Sequence, residues 1–145
     1  MLPDTNVVVA AFRADHPHHA VAVRWLQGAL DSAANSQRLL LPMAVISEFL
    51  RLVTNVKIFH DASTPEHAVE FIDWLTDAPG VSLLSDAQEW PEFRALVLGK
   101  NLVGNHIPDA WLASLAISLG EPFASFDKGF SRLLPRSHLT LLPVK

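Results

Sequence analysis

The chain has 145 residues, enough for one domain with a substantial core and too few for two. Half of the residues are hydrophobic and the mean hydropathy is +0.24, so we expect an interface to cover part of the apolar surface. The formal net charge of −4 argues against a nucleic-acid binder that works through a broad basic surface, but not against a nuclease with clustered carboxylates.

Cysteine is absent, which excludes disulfides and thiolate metal sites and leaves oxygen and imidazole as metal ligands. No basic region precedes the apolar run at residues 7–12, so a signal peptide is not expected. The apolar run at residues 39–46 is far too short to span a membrane. We therefore expect a cytoplasmic protein whose residues 1–145 form a single domain.

Short apolar runs alternate with longer segments of helical period, which is typical of a mainly parallel sheet flanked by helices. Strands are predicted at residues 2–4, 38–41, 81–84, 122–126 and 138–142. Helices are predicted at residues 5–13, 17–32, 43–54, 64–77, 87–99 and 106–119, with a short helix after Asp127. Because Pro3 removes a ladder donor, the first strand should be very short. The predicted fold class is α/β.

Two aspartates directly follow predicted strands. Asp4 closes the first strand and Asp127 closes the fourth. In open parallel sheets, ligands bind beyond the carboxyl ends of the strands, so both side chains could belong to one site. Aspartate is also a favoured helix cap, and each residue could instead cap the helix that follows it.

Two further acids interrupt apolar helices. The residues three, four and seven positions after Asp109 are Leu112, Ala113 and Ala116, so its side chain should lie on the face that packs on the sheet. A complement to the helix dipole would explain the position of Asp109 but not this facing. Glu48 lies at the edge of the apolar arc of its helix, where a glutamate either extends into water or reaches a site.

Four segments, taken in order, resemble a PIN domain of the VapC toxin type. They are Asp4-Thr5-Asn6, Ser47-Glu48-Phe49-Leu50-Arg51-Leu52-Val53-Thr54-Asn55, Asp109-Ala110-Trp111-Leu112-Ala113 and Ser125-Phe126-Asp127-Lys128-Gly129-Phe130. The resemblance covers essentially the whole chain. It implies a three-layer α/β/α PIN-like domain with a short, mainly parallel central sheet of four to five strands.

The resemblance also implies an activity and partners. The protein would be an endoribonuclease that hydrolyses RNA phosphodiester bonds with Mg²⁺ or Mn²⁺, as the toxin of a type II toxin–antitoxin pair. Members of the family typically form homodimers. A VapB-type antitoxin silences them by filling the active-site groove with its tail, and the apolar surplus of the sequence is compatible with both contacts.

The catalytic set implied by the resemblance is Asp4, Glu48, Asp109 and Asp127. The three aspartates would hold one or two divalent ions, and Glu48 would contribute directly or through water. Asn6 and Ser125 would position carboxylates or water by hydrogen bonds. Without metal, repulsion among the carboxylates should raise the pKa of at least one of them. Trp111 departs from the family pattern, since relatives often carry smaller or polar residues there, and it could alter the mouth of the site.

Other residues leave alternatives open. His16, His18 and His19 suggest a zinc site, but a polar loop is favoured because no matching second cluster is present. Residues 55–63 lack a firm helical pattern, and they either overhang the site, with Phe59 stacking on a base, or pack their apolar side chains beneath the loop. The basic residues predicted to lie nearest the groove are Arg13, Arg51, Lys57 and Lys128, although a solvated surface charge is the default interpretation of each.

Two competing functions remain. A haloacid-dehalogenase-like phosphatase also places an Asp after its first strand, but it needs a second Asp two residues later, where this chain has Asn6. A degenerate PIN domain would only bind RNA or protein, and the four intact acids argue against it.

Overall fold

The computed structural model describes residues 1–84, 90–104 and 106–144, and it confirms the predicted alternation of strands and helices. The strands are β1 (Leu2–Pro3), β2 (Leu39–Pro42), β3 (Val81–Leu84), β4 (Phe123–Ser125) and β5 (Leu139–Leu141). The α-helices are α1 (Thr5–Phe12), α2 (His19–Ala34), α3 (Met43–Val53), α4 (Pro65–Asp77), α5 (Trp90–Gly99) and α6 (His106–Leu119). Two short 3₁₀ helices span Lys128–Arg132 and Arg136–His138, and the first is the short helix predicted after Asp127. Residues 87–89, predicted as the start of the fifth helix, lie outside the described residues.

The strands pair in parallel, as predicted. β4 pairs with both β1 and β5, and β2 pairs with β3. Backbone hydrogen bonds of Met1 connect the two groups, because its nitrogen donates to Arg38 O and its oxygen accepts from Leu40 N, both at 2.8 Å. The resulting order is β3-β2-β1-β4-β5. The chain leaves β1 on one side for β2 and returns on the other side as β4, so the carboxyl ends of β1 and β4 flank the point where the strand order reverses. Such a switch point is where open α/β sheets bind ligands.

Glycine and proline determine several element boundaries. β1 contains only two residues and ends at Pro3, as predicted from the missing donor of proline. Gly80, with φ of +76°, forms the turn before β3, where an added Cβ would lie 2.0 Å from Ala33 O. Only glycine fits this close approach between the turn and the end of α2.

The core lies between the sheet and its covering helices. β1 and β2 are buried along their whole length, and Phe49, Phe123 and Phe130 are among the largest fully buried side chains. In α6, Ala113 and Ala116 are fully buried in the same cluster as the strand residues, which confirms the predicted inward face of this helix. Small side chains let α6 lie close to the sheet, and the same face carries Asp109. No helix in the described part of the chain is long and apolar enough to cross a bilayer.

Candidate active site

One cleft gathers the four acids named from the sequence. It has a volume of about 620 Å³, and Asp4, Glu48, Asp109 and Asp127 all line it. The other lining residues are Thr5, Asn6, Val9, His16, Ala44, Leu52, Ile58, Phe59, Pro108, Trp111 and Leu112. We call this the acidic cleft. It lies beyond the carboxyl ends of β1 and β4, at the reversal point of the sheet.

Asp4 is the most enclosed acid in the cleft, with 8% of its surface exposed. Its backbone nitrogen donates to Ala124 O at 2.7 Å, which continues the pairing of β1 with β4. One carboxylate oxygen accepts from Thr5 N at 2.7 Å, and Asp4 is the N-cap of α1. The other oxygen accepts from the Ser125 hydroxyl at 2.6 Å. Asp4 is therefore both a helix cap and a member of the cleft, and the two interpretations left open by the sequence hold together.

Ser125 connects the acids through a fully used hydroxyl group. Ser125 has no exposed surface, and its Oγ donates to Asp4 while accepting from Asp127 N at 2.9 Å and from Asn6 Nδ2 at 3.3 Å. The Asn6 carbonyl oxygen accepts from Phe126 N at 3.3 Å. A serine hydroxyl offers one donor and two acceptor positions, and all three are used here. Asn6 and Ser125 thus lie where a positioning role would require them.

Asp127 follows β4 and caps the 3₁₀ helix after it. Its Oδ1 accepts from Gly129 N at 2.8 Å, and the side chain is exposed to the cleft and to solvent. A Cβ added at Gly129 would lie 3.0 Å from this same oxygen, so only glycine leaves the carboxylate undisturbed. As with Asp4, capping and membership of the cleft coexist.

Asp109 lies in the first turn of α6 and is half-buried. Burial raises its pKa, the negative charge of Asp127 also raises it, and the nearby His106 lowers it. The predicted face is confirmed, because Leu112, the helical neighbour of Asp109, is buried and lines the same cleft.

The acidic cleft concentrates negative charge, with four carboxylates in its lining. Burial raises the pKa of Asp4 from 3.8 to about 6, the charges of Asp109 and Asp127 also raise it, and its hydrogen bonds oppose the rise. The expected rise is confirmed in direction, although burial contributes more than repulsion does. Among the described lining residues there is no lysine or arginine. Carboxylates in such surroundings favour a bound cation or a proton.

Glu48 reaches the cleft by its position on α3 but pairs with a neighbour on the same helix. Arg51 donates to both of its oxygens, at 3.0 Å from Nε and 2.5 Å from Nη2. Hydrogen bonding to Arg51 lowers the pKa of Glu48, whose side chain is 43% exposed. Glu48 is thus ionised at the rim of the cleft, with its charge shared by Arg51.

The predicted basic neighbours do not line the cleft. Arg13 is buried and turned toward residues 61–63, while Lys57 and Lys128 are exposed and Arg51 pairs with Glu48. Any positive charge that offsets the four acids must therefore come from outside the described lining.

The histidines divide between the cleft and the core. His16 lines the acidic cleft, and its ring nitrogen accepts from His18 N at 3.0 Å. The His18 ring stacks on Phe126, and His19 Nδ1 lies 2.8 Å from Ala10 O. In the arrangement seen across residues 1–84, 90–104 and 106–144, no three His, Asp or Glu side chains are close enough to hold an ion together. His18 is the N-cap of α2 and His19 its first residue, so these two histidines stand at the start of a helix.

Several lining residues were not placed in the site by sequence reasoning. The sequence pattern places His16 only in a histidine cluster, and it leaves open whether Ile58 packs beneath a loop or belongs to a segment that overhangs the site. Thr5, Ala44 and Pro108 carried no chemical signal of their own. These residues line the cleft because they are next to an acid or to the end of a helix. Sequence spacing alone does not predict how close their side chains lie to the acids.

The sequence comparisons assign the chain to a known family. A family model of the PIN domain matches residues 1–133. The chain is 37% identical over 131 residues to VapC ribonuclease Mb2897 of Mycobacterium bovis, covering 89% of this chain and 86% of the relative. The chain belongs to the PIN-domain family, within its VapC ribonuclease type. This PIN domain is also 33% identical over 144 residues to Ribonuclease VapC31 of Mycobacterium tuberculosis, covering 95% and 96% of the two chains.

Solved structures show the same fold at low sequence identity. The crystal structure of VapBC2 from Rickettsia felis, bound to a DNA fragment from their promoter, matches this PIN domain with a TM-score of 0.67 at 17% identity over 98% of each chain. FitAcB from Neisseria gonorrhoeae matches with a TM-score of 0.58 at 14% identity, covering 98% of this chain and 96% of that chain. Both confirm the α/β PIN fold predicted from the sequence.

Proposed function

We propose that this PIN domain is a divalent-metal-dependent endoribonuclease, with Mg²⁺ or Mn²⁺ as its ion. The observation that carries the proposal is the acidic cleft at the reversal point of the sheet, whose described lining includes four carboxylates and no lysine or arginine. The names of the sequence relatives as VapC ribonucleases support RNA as the substrate.

The ligand types of the cleft suit a hard divalent cation, and its side chains would have to move closer together to hold one. Asp4, Asp109 and Asp127 would hold the ion, since carboxylate oxygens are the ligands that Mg²⁺ and Mn²⁺ prefer. The raised pKa values of Asp4 and Asp109 reflect burial and mutual charge, which a cation would relieve. When bound, the ion would neutralise charge on the scissile phosphate and activate a water molecule.

The chain's own residues prepare the site for that ion. Ser125 and Thr5 N orient the two oxygens of Asp4 from opposite ends of the carboxylate, and Gly129 N orients Asp127. The lone pairs left on each oxygen remain free for a cation, because a carboxylate accepts about four contacts. Such fixed orientation lowers the reorganisation needed when charge develops on the phosphate.

Glu48 would act from the rim of the cleft. Its pairing with Arg51 keeps it ionised, and an exposed side chain of this length can turn toward the ion or toward a water molecule beside it. We therefore propose a supporting catalytic role, with a smaller loss on Glu48→Gln than on substitution of the aspartates.

The test is cleavage of structured RNA by purified protein with magnesium, with manganese or with chelator. Wild type should cut with either metal and stop in chelator, while Asp4→Asn and Asp109→Asn should lose activity by about a thousandfold, as expected when a metal ligand is removed. Asp73→Asn is the matched control, because Asp73 is exposed on α4. Near-normal cleavage by either cleft variant would overturn the proposal.

We further propose that this ribonuclease is the toxin of a toxin–antitoxin pair and binds a VapB-type antitoxin. The neighbouring structures of VapBC2 and of VapBC-1 from Haemophilus influenzae support this partner. Exposed apolar side chains such as Trp74 and Val69 on α4 offer surface for an antitoxin or for a second copy in a homodimer. Co-expression with an adjacent small reading frame should abolish cleavage, and light scattering should report the assembly.

The competing functions fit the cleft less well. In a haloacid-dehalogenase-like phosphatase, the residue two positions after the first aspartate must transfer protons, whereas Asn6 is an amide engaged with Ser125 and Phe126. A degenerate PIN domain would have lost acids from the cleft. Phosphatase activity on small phosphate esters would favour the phosphatase. RNA binding without metal-dependent cleavage would favour the degenerate PIN domain.

A further inference from the structure

Arg13 is a buried cation that the proposed chemistry does not use. It is the C-cap of α1, the helix whose N-cap is Asp4, and its side chain is 10% exposed. Nine residue steps separate these caps, so Arg13 lies about 13 Å along the helix from the acid. It does not line the acidic cleft, and a buried arginine needs a structural reason.

The guanidinium group binds one loop at several points. We call residues 55–63, between α3 and α4, the 55–63 loop. Nη1 of Arg13 donates to Asp61 O at 2.7 Å and to Ser63 Oγ at 3.0 Å, while the cation lies 4.4 Å from the centroid of the Phe59 ring. Nε and Nη2 donate to the two oxygens of Asp15, at 2.8 and 2.5 Å.

Asp15 fixes the plane of the Arg13 guanidinium, which in turn binds the 55–63 loop. A bidentate pair with a carboxylate sets both the position and the orientation of an arginine, which a lysine cannot reproduce. The hydrogen bond with Arg13 lowers the pKa of Asp15, so the pair stays charged at neutral pH. Because the Asp15 side chain is 57% exposed, its energetic weight is small and its role is geometric.

The 55–63 loop forms part of the acidic cleft. Ile58 and Phe59 both line it, together with the four acids. Near its start the loop is held by its own turn, where Ile58 N and Phe59 N both donate to Asn55 O at 3.0 Å. Arg13 then holds its second half, from Phe59 to Ser63. The apolar wall that Phe59 contributes therefore depends on a contact outside the cleft.

We propose that Arg13 is a positioning residue for substrate, which holds the 55–63 loop so that Phe59 presents a fixed apolar surface to a nucleotide beside the scissile phosphate. Base–aromatic contacts tolerate any base and depend on where the ring is held. The inference rests on the proposed ribonuclease function, and it assigns to Arg13 an effect on substrate binding and not on the chemical step.

The test compares Arg13→Lys and Asp15→Asn with Arg24→Lys, an exposed arginine on α2. Kinetics would use the RNA that wild type cuts fastest from a random-sequence single-stranded pool. Arg13→Lys should raise KM by about fivefold or more, the lower end of what one stacked base contributes, with kcat within about twofold of wild type. Asp15→Asn, which keeps one acceptor and alters only an exposed side chain, should show a smaller rise. Arg24→Lys should match wild type.

A second measurement reports the loop without RNA. Hydrogen exchange of the amides of the 55–63 loop should be about fivefold faster or more in Arg13→Lys, with exchange in the sheet unchanged. Phe59→Leu should raise KM to a similar extent, and the double variant with Arg13→Lys should add little, because both changes remove the same contact.

Several results would overturn the inference. If the amides of the 55–63 loop exchange at the wild-type rate in Arg13→Lys, Arg13 does not hold the loop. If exchange is faster but KM is unchanged, the loop does not contact the substrate. A fall in kcat alone would indicate a merely structural role. If wild type binds the pool in calcium but never cuts it, the proposed function fails and the dissociation constants of the same variants decide on Arg13. Neither binding nor cleavage would overturn both proposals.

Discussion

Replacement of Asp4 by asparagine should stabilise the metal-free protein at neutral pH while abolishing cleavage. The pKa of Asp4 rises from 3.8 to about 6 on folding, chiefly because the carboxylate is buried. The folded chain therefore holds this proton more tightly than the unfolded chain does. Its contribution to stability is fully present below about pH 3.8, declines as pH rises, and is lost above about pH 6.

The difference amounts to about 3 kcal/mol at neutral pH, from 1.36 kcal/mol for each pKa unit. Asparagine keeps the cap to Thr5 N, but its amide cannot accept from the Ser125 hydroxyl at the same time, which costs about 1 kcal/mol. The variant should thus gain about 2 kcal/mol over wild type near pH 7.5 and lose about 1 kcal/mol near pH 3, where both states of wild type are largely protonated at Asp4. A change of sign across this range is the signature of a buried ionised carboxylate.

The assay is urea denaturation of both proteins in chelator at the two pH values. Asp73→Asn is the control, since an exposed aspartate on α4 should shift stability by less than about 0.5 kcal/mol at either pH. A variant no more stable than wild type near pH 7.5 would refute the claim that folding buries the Asp4 charge at a cost.

Three further changes probe the same network. Ser125→Ala removes the donor to Asp4 and the acceptor for Asp127 N in a fully buried position, and calorimetry should show a loss of about 2–3 kcal/mol, with kcat reduced about tenfold or more. Gly129→Ala places a Cβ 3.0 Å from Oδ1 of Asp127, so apparent metal affinity in cleavage titrations should fall, by up to about tenfold, with little change in stability; unchanged affinity would mean that the position of this oxygen does not limit binding. Manganese should raise the melting temperature of wild type but not of Asp4→Asn, and equal shifts in both would place the ion elsewhere.

Much of the fold was predictable because its strands and helices differ in period. The apolar run at β2 and the strand after Gly120 are short and bounded by turn residues, while α3 and α6 repeat their apolar residues at helical spacing. Pro3 predicts a very short first strand, and β1 has two residues. The strand order was less accessible, because only backbone pairing reveals that β1 lies between β2 and β4.

The acids of the cleft were predictable in unequal degree. Asp109 could be predicted because it lies on the apolar face of its helix. Asp4 and Asp127 could be predicted because they follow strands whose carboxyl ends meet at one edge of the sheet. Glu48 gave a weaker signal at the edge of an arc, and its pairing with Arg51 depends on rotamers that spacing does not determine.

Arg13 shows the limit of sequence reasoning in this chain. The sequence predicts a residue near the groove, with a solvated surface charge as the default interpretation, and that default is wrong: the side chain is buried against a loop about fifty residues further along the chain. Contacts between such distant segments arise from tertiary packing, and no local pattern encodes them.

The central claim is that the cleft acids hold a divalent ion that RNA cleavage requires. The most direct measurement is calorimetric titration of Mn²⁺ into wild type, Asp109→Asn and Asp73→Asn, with RNA cleavage followed on the same samples. We predict that wild type and Asp73→Asn bind the ion and cut RNA over the same range of Mn²⁺ concentration, and that Asp109→Asn does neither. Undiminished Mn²⁺ binding by Asp109→Asn, or cleavage in chelator, would contradict the account.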